Sequence, residues 1–191
     1  VWRVIYFRLL RQFYSVTDAN GYAGGGQMFV LSAAHLNLLL DAAFPPGTPR
    51  PFTPIRLLDI GAGDGNVTAE IAPLFQEASA TETSHVMLDR LRARGLRAVY
   101  SPLLDEADVG SEPYDMVACL NVLDRCDEPL SLLRRMHALT KPNGGLVLLA
   151  VVLPFCPFVE DGSGQKSPKQ LLPIRARSFE GALTELVVNV L

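Results

Sequence analysis

Apolar residues recur at helical spacing through residues 1–13, interrupted by Arg3, Arg8 and Arg11, and predict an amphipathic helix whose apolar side packs onto the main body. A membrane-surface or partner-helix role is the alternative for that segment. Residues 15–26 are polar and glycine-rich, with Asn20-Gly21 and three glycines at 24–26, and predict a loop. Ser32 stands where it can cap a helix through Leu36, Leu39, Leu40 and Ala43. Prolines at 45, 46, 49, 51 and 54 then predict a stiff connector.

From residue 56 the pattern changes to short apolar runs alternating with helical ones. Strands are predicted at residues 56–60, 78–81, 97–100, 114–120 and 146–153. Between them, helices are predicted at 67–75, with Pro73 limiting its end, at 84–94 before Gly95, and from a cap at Asp127 to Leu139. The run at 114–120 is apolar throughout, as expected of a parallel strand buried on both faces. This alternation predicts an α/β fold, Rossmann-like, with a mostly parallel sheet flanked by helices. Residues 1–54 form an N-terminal helical and glycine-rich segment packing on the core, and residues 55–191 the Rossmann-like domain. Near the end a helix at 178–186 and a strand at 187–191 are expected, with a segment missing or trimmed near 186–187. The crevice outside the carboxyl ends of the strands is where ligands bind in such sheets, so the chemistry is sought there.

Composition narrows the class. Hydrophobic residues make up 49% and charged residues 19%, which places the chain among globular domains rather than disordered segments. Its net charge of -3 lacks the basic footprint of a nucleic-acid enzyme, and the arginines at 90, 92, 94 and 97 read as a solvated helix end. Cys119, Cys126 and Cys156 show no zinc-ligand spacing, so no metal is expected. No run is apolar for the length of a membrane span.

The strongest local signal is Asp59-Ile60-Gly61-Ala62-Gly63-Asp64-Gly65 after the first strand. Glycines let a backbone turn sharply and approach a ligand. A dinucleotide fingerprint spaces its third glycine two residues after the second and leaves room for a pyrophosphate. Here Gly65 follows Gly63 after one residue, and two carboxylates surround the loop. That suits a zwitterionic amino acid joined to a sulfonium: Asp59 can pair with its ammonium while loop N–H groups take its carboxylate. Glu82, ending the next strand, can accept both ribose hydroxyls. Leu103 and Asp105 are candidates for the adenine face and amino group, with a solvent-facing acidic loop as the alternative. Met87 reads as core at helical spacing from Leu91. After the fourth strand, Asn121 and Asp124 face the cleft; for Asp124 a helix cap or an ion pair with Arg125 is the plainer alternative. His35, His85 and His137 are weak candidates for a catalytic base.

The wording at residues 58–65, 80–82, 119–130 and 153–160 closely resembles the DREV methyltransferase-like family, above all Asn121-Val122-Leu123-Asp124-Arg125-Cys126-Asp127. Residues 24–30 resemble its segment before the core, and the likeness runs from about residue 3 to 180. The resemblance implies S-adenosyl-L-methionine as methyl donor, S-adenosyl-L-homocysteine as product, and methylation of the Nπ (pros) nitrogen of histidine in proteins or peptides, with His-x-His segments favoured. It implies Asn121 and Asp124 as catalytic residues at the imidazole, and Asp59, Gly61 and Glu82 at the cofactor; Gly63 and Gly65 of the same turn are cofactor-site candidates from the loop pattern itself. Tyr22, Met28 and Phe29 are candidates for lining the cofactor or peptide groove, with a place in the apolar core as the alternative; Phe155 and Phe158 are expected to border the substrate entrance, and Arg125 is a further substrate-side candidate. Arg125 is alternatively a structural partner of an acidic side chain. A monomer is expected, and the family resemblance is compatible with the endoplasmic reticulum or mitochondria. The 101–113 loop departs from the family, being longer and lacking its Asn-Glu-Trp wording, and the family's tyrosine-containing strand pair near the C-terminus has no counterpart at 186–187. A small-molecule methyltransferase and a non-catalytic interaction module are the competing readings.

Overall fold

The computed structural model describes residues 2–25, 30–44, 55–161 and 164–191. The strands are β1 (Arg56–Ile60), β2 (Glu77–Glu82), β3 (Arg97–Tyr100), β4 (Met116–Leu120) and β5 (Leu146–Ala150). They form one parallel sheet in the order β3-β2-β1-β4-β5. Helices α1 (Trp2–Leu10), α2 (Val16–Ala23) and α3 (Ala33–Ala43) precede the sheet, and α4 (Asn66–Ile71), α5 (His85–Ala93), α6 (Glu106–Val109) and α7 (Pro129–Leu139) connect its strands. A short antiparallel pair, β6 (Val159–Asp161) with β7 (Gly164–Lys166), and α8 (Phe179–Asn189) follow. This is the α/β architecture that the alternating pattern predicts.

The two faces of the sheet are covered by different helices, as right-handed crossovers require. Leu57, Met116 and Ala118 pack with Leu36 and Leu40 of α3 and Ile71 of α4. Leu58, Ile60, Val117 and Cys119 pack with Met136 and the flanking leucines of α7. Strand alternation therefore gives β1 and β4 buried residues on both sides, and their carboxyl ends emerge at the centre of one sheet edge.

Several elements differ from expectation. Through its described part, the glycine-rich stretch after residue 15 is the helix α2 rather than a loop. Ser15 caps it by accepting from the Asp18 N–H, and left-handed Gly24 ends it. Gly21 is tolerated inside because a Cβ there would lie 2.6 Å from Val86 of α5; the glycine lets the two helices touch. α1 buries none of its residues: it meets α2, where Arg3 Nε donates to the Ala23 carbonyl and Nη2 to that of Gly24. That is the helix end at which a cation is favoured.

Asp127 does not cap α7. Glu128 holds the cap position, and Asp127 instead accepts the Lys169 N–H through Oδ1 and, through its carbonyl, the Gln170 N–H. The predicted strand at 187–191 is absent, because α8 runs on through Leu186 and Val187 to Asn189. β4 starts at Met116, Tyr114 making only a single bridge to Thr140, and β5 stops at Ala150. No described helix is long and apolar enough to cross a membrane. The proline connector at 45–54, Met28 and Phe29 lie outside the described residues.

Candidate active site

The β1–α4 turn is built from three left-handed glycines: Gly61 at φ +66°, Gly63 at +58° and Gly65 at +78°. They serve different ends. A Cβ on Gly61 would stand 2.6 Å from Val122, and one on Gly65 would stand 2.7 Å from Leu91, so these two permit packing. A Cβ on Gly63 would meet no atom within 4 Å, which leaves its Cα facing open space. The loop N–H groups are largely committed: Gly61 and Ala62 donate to the Thr81 carbonyl, Gly65 to that of Ala62, and Asn66 to Asp64. The expectation that loop amides are free for a ligand carboxylate is corrected accordingly. Asp64 is held in the loop too, accepting from Asn66 Nδ2 at 2.6 Å, while Arg94 Nε donates to its carbonyl at 2.7 Å. Arg94 is thus a brace for the loop rather than part of a solvated helix end.

Asp59 is 2% exposed. Its Oδ2 accepts from Thr68 of α4 at 2.6 Å, and its Oδ1 is buried with no partner. Burial pushes its carboxyl up to about 7, against the pull of the Thr68 hydroxyl. Glu82 ends β2 with Oε2 accepting the Gly63 N–H at 2.9 Å and Oε1 accepting the Thr83 and Ser84 N–H groups. The Glu82 carboxylate is thereby fixed beside the glycine turn. Ser84 Oγ donates to Asp18 of α2 at 2.5 Å, and Thr17 reaches Glu160 at 3.5 Å. Helix α2 therefore spans from the end of β2 to the segment after β5, across the carboxyl edge of the sheet. Tyr22 on this helix is half-exposed and packs edge-on against Tyr14.

The chain leaves β4 through Asn121, a non-glycine residue at φ +59° whose N–H donates to the Ala150 carbonyl. A left-handed Asn is costly, and such positions gather at functional sites. Asp124 follows at 2% exposure. Its Oδ2 pairs with Arg125 Nη1 at 2.7 Å, while Oδ1 is buried and unpartnered. Burial raises its carboxyl above the usual range, and Arg125 opposes the rise. The Arg125 guanidinium lies 3.9 Å from the Phe158 ring centroid, and the Phe158 N–H donates to the Asp124 carbonyl. Asp124, Arg125 and Phe158 therefore form one unit.

The other candidates are not gathered here. Phe155 is core, packed with Leu123 and Leu172, so its expected place at the substrate entrance is corrected. Leu103 is 60% exposed, and Asp105 turns to Arg135 of α7 at 3.5 Å; between them Leu104 is the buried residue. Met87 is core, His85 stacks on Tyr100, His35 completes the Ser32 cap, and His137 is exposed in the last turn of α7. Sequence reasoning missed Thr68, Ser84 and Arg94. Each gains its meaning from a contact across the fold, and none carries a motif.

These residues fit S-adenosyl-L-methionine. Asp59 Oδ1 is the acceptor that an amino-acid ammonium lacks in water-free surroundings, Glu82 is a fixed acceptor one strand over, and Gly63 leaves space between them. The whole chain, residues 1–191, matches the model of the DREV methyltransferase family. A ubiquinone biosynthesis O-methyltransferase of Ruegeria pomeroyi is 36% identical over 103 residues, 51% of this chain and 42% of that protein. One of Vibrio campbellii is 28% identical over 95 residues, 47% of this chain and 40% of that protein. The chain thus spans about two fifths of the length of these curated relatives. Among solved structures, the amino pentose methyltransferase CalS10 of Micromonospora echinaspora, with S-adenosylmethionine bound, aligns at a TM-score of 0.53 and 26% identity. The alignment covers 74% of this chain and 58% of that one. Streptomyces venezuelae DesVI aligns at 0.51 and 17% identity over 64% and 51%, a likeness of fold. Sheet order, glycine turn and family match agree: the chain belongs to the DREV methyltransferase family.

Proposed function

We propose that this chain transfers a methyl group from S-adenosyl-L-methionine to the Nπ nitrogen of histidine in protein substrates, with His-x-His segments preferred. The single observation that carries the reading is Asp124: a buried carboxylate with one oxygen tied to Arg125 and the other without a partner. A neutral imidazole has one N–H and one basic nitrogen. Asp124 Oδ1 accepting the Nτ–H fixes the tautomer, leaves the Nπ lone pair free and raises its basicity. Asn121, aimed by its left-handed backbone, orients the ring or the neighbouring peptide. Arg125 and Phe158 hold Asp124 in place, so Arg125 serves as a positioning residue rather than a direct substrate contact.

The bound donor supplies an electrophilic methyl on a sulfonium. Nπ forms the N–CH3 bond as the S–CH3 bond breaks, and the electron pair of that bond stays on sulfur. The Nτ proton of the resulting methylimidazolium, held by Asp124, then passes to solvent. Alignment and charge placement supply most of the acceleration. Asp59 is assigned to the donor's ammonium, Glu82 to its ribose hydroxyls and Gly63 to close backbone approach.

The test is incubation with isotopically labelled donor and peptides carrying His-x-His, followed by fragmentation to locate the methyl. Label on Nπ supports the reading; label confined to Lys, Arg or a small acceptor overturns it. Small-molecule methylation is the second reading, favoured by the relatives named as O-methyltransferases, so phenols and amino sugars belong in the same assay.

A further inference from the structure

The apolar surface left open at the N-terminus is ordered rather than scattered. Residues three or four apart share one face of a helix, so Trp2, Ile5, Tyr6 and Leu9 of α1 form a stripe. Phe13, in the hydrogen-bonded turn that follows, extends it. All five are exposed. The opposite side of α1 is the one that meets α2: Phe7 and Leu10 are half-buried, Arg3 bonds the end of α2, and Tyr14 packs on Tyr22. The stripe therefore points away from the described remainder of the chain.

Charge sets the same segment apart. Residues 1–14 hold Arg3, Arg8 and Arg11 and no acidic side chain, although the whole chain has a net charge of -3. The rest is therefore more acidic still. Arg8 is exposed and stands three residues from Ile5, at the border of the stripe. Contiguous exposed apolar surface of this kind marks a binding face. An isologous dimer through it would set one arginine-bearing segment against another, which like charge disfavours. An anionic lipid surface complements both halves of the segment: it takes the aromatic and aliphatic stripe below its headgroups and the arginines among them. Trp2 and Tyr6 are side chains suited to that layer, with an apolar ring and a polar edge. No described helix is long and apolar enough to cross a bilayer, so the contact is one of lying on the surface.

We propose that α1 is a docking helix for anionic lipid, seated in the headgroup layer through Trp2, Ile5, Tyr6, Leu9 and Phe13. Helix α2 lies between α1 and α5 and touches both, so seating α1 displaces none of the strands that carry the donor and acceptor residues. Lipid docking is independent of the methyl donor and of its acceptor, and is measured without turnover.

The probes are vesicles of phosphatidylcholine alone and of phosphatidylcholine mixed equally with phosphatidylserine. Binding is read by cosedimentation and by the emission of Trp2, the one tryptophan of the chain. With the mixed vesicles Trp2 emission should shift to the blue and lose its access to acrylamide, and added salt should weaken binding. Leu9→Asp should lower the partition coefficient about tenfold or more. Arg8→Gln should lower it about fivefold on the mixed vesicles and leave the neutral ones unaffected. Both positions are exposed, so the Tm without lipid should stay unchanged. Should Leu9→Asp lower it, Trp2→Ser read by cosedimentation gives the same comparison. Absence of binding to the mixed vesicles overturns the proposal. So does equal partition to both vesicle types, or partition that the stripe variants leave untouched. A blue shift that grows with protein concentration in lipid-free buffer identifies a second copy as the occupant and overturns it as well.

Discussion

Asp59 and Asp124 illustrate how burial makes a carboxylate informative. Each is 2% exposed, each has one satisfied oxygen, and each has one that is not. For Asp59 the ordinary value of 3.8 is raised to about 7 by burial, so the sign of its pH effect is opposite to that of a salt-bridged acid. Between these values the folded chain binds a proton that the unfolded chain does not. Stability of the ligand-free chain should fall as pH rises from 4 to 7 and level off above, by roughly 4 kcal/mol at most. Donor binding should behave inversely, because an ammonium favours the ionised form. Calorimetric affinity for S-adenosyl-L-homocysteine is expected to tighten about fivefold from pH 6 to pH 7. Asp59→Asn, which titrates nowhere in that range, should lose this slope; a slope retained in the variant assigns the proton to another group. For Asp124→Asn, kcat should drop by about a hundredfold or more, with donor affinity held within about twofold. An equal loss of donor affinity would move Asp124 out of the acceptor role. Asp59, Glu82, Asn121 and Asp124 were legible because each stands beside a buried apolar strand. Phe155 was not, since an aromatic in an irregular segment gives no sign of facing inward, and Thr68 is an ordinary residue whose partner exists only in three dimensions.

The strands and the crossover helices were legible for a related reason: their periodicity is long and their ends are marked by Gly, Pro or Ser. Helix α2 was not, because its Gly21 and Asn20 read as turn residues until Val86 is seen filling the space a Cβ would take. The same distinction between glycines that turn and glycines that pack gives a prediction for the β1–α4 loop. Gly61→Ala combines a left-handed φ with a 2.6 Å clash against Val122, and should cost about 2–4 kcal/mol by denaturant titration. Adding Val122→Ala should recover part of that loss. Gly63→Ala meets open space, so only the backbone cost of about 1–2 kcal/mol should appear, yet donor affinity should fall more steeply than in Gly61/Val122. If Gly63→Ala binds donor normally, the open space beside it is not the donor's. The end of the chain was misread because Val187 and Val188 favour strands as single residues, while Ser178, accepting from the Gly181 N–H, starts a helix that carries through them.

Viewed across the fold, the sheet is well covered on both faces at β1 and β4, but apolar side chains remain exposed at its periphery. α1 leaves Trp2 83% exposed, and Phe13 just beyond it is 81% exposed. α8 leaves Val187 and Val188 open, and Val147 of β5 is 44% exposed. Sequence patterning marks such residues as apolar and amphipathic; it says nothing about which face finds a partner, and for α1 the expected packing onto the main body is replaced by contact with α2 alone among the larger contacts. Trp2 makes this directly measurable, because it is the one tryptophan of the chain. Its fluorescence should be that of a water-exposed indole and should be quenched freely by acrylamide while the rest of the fold is intact. Trp2→Ser should change unfolding free energy by no more than about 0.5 kcal/mol, as expected of a surface position. Leu36→Ala, at 1% exposure between α3 and the sheet, should cost about 2–5 kcal/mol. A blue-shifted, protected Trp2, or a Trp2→Ser loss approaching that of Leu36→Ala, would mean that α1 is packed in solution by something it does not touch within this chain, and would make the N-terminal helix part of the folded core rather than an appendage to α2.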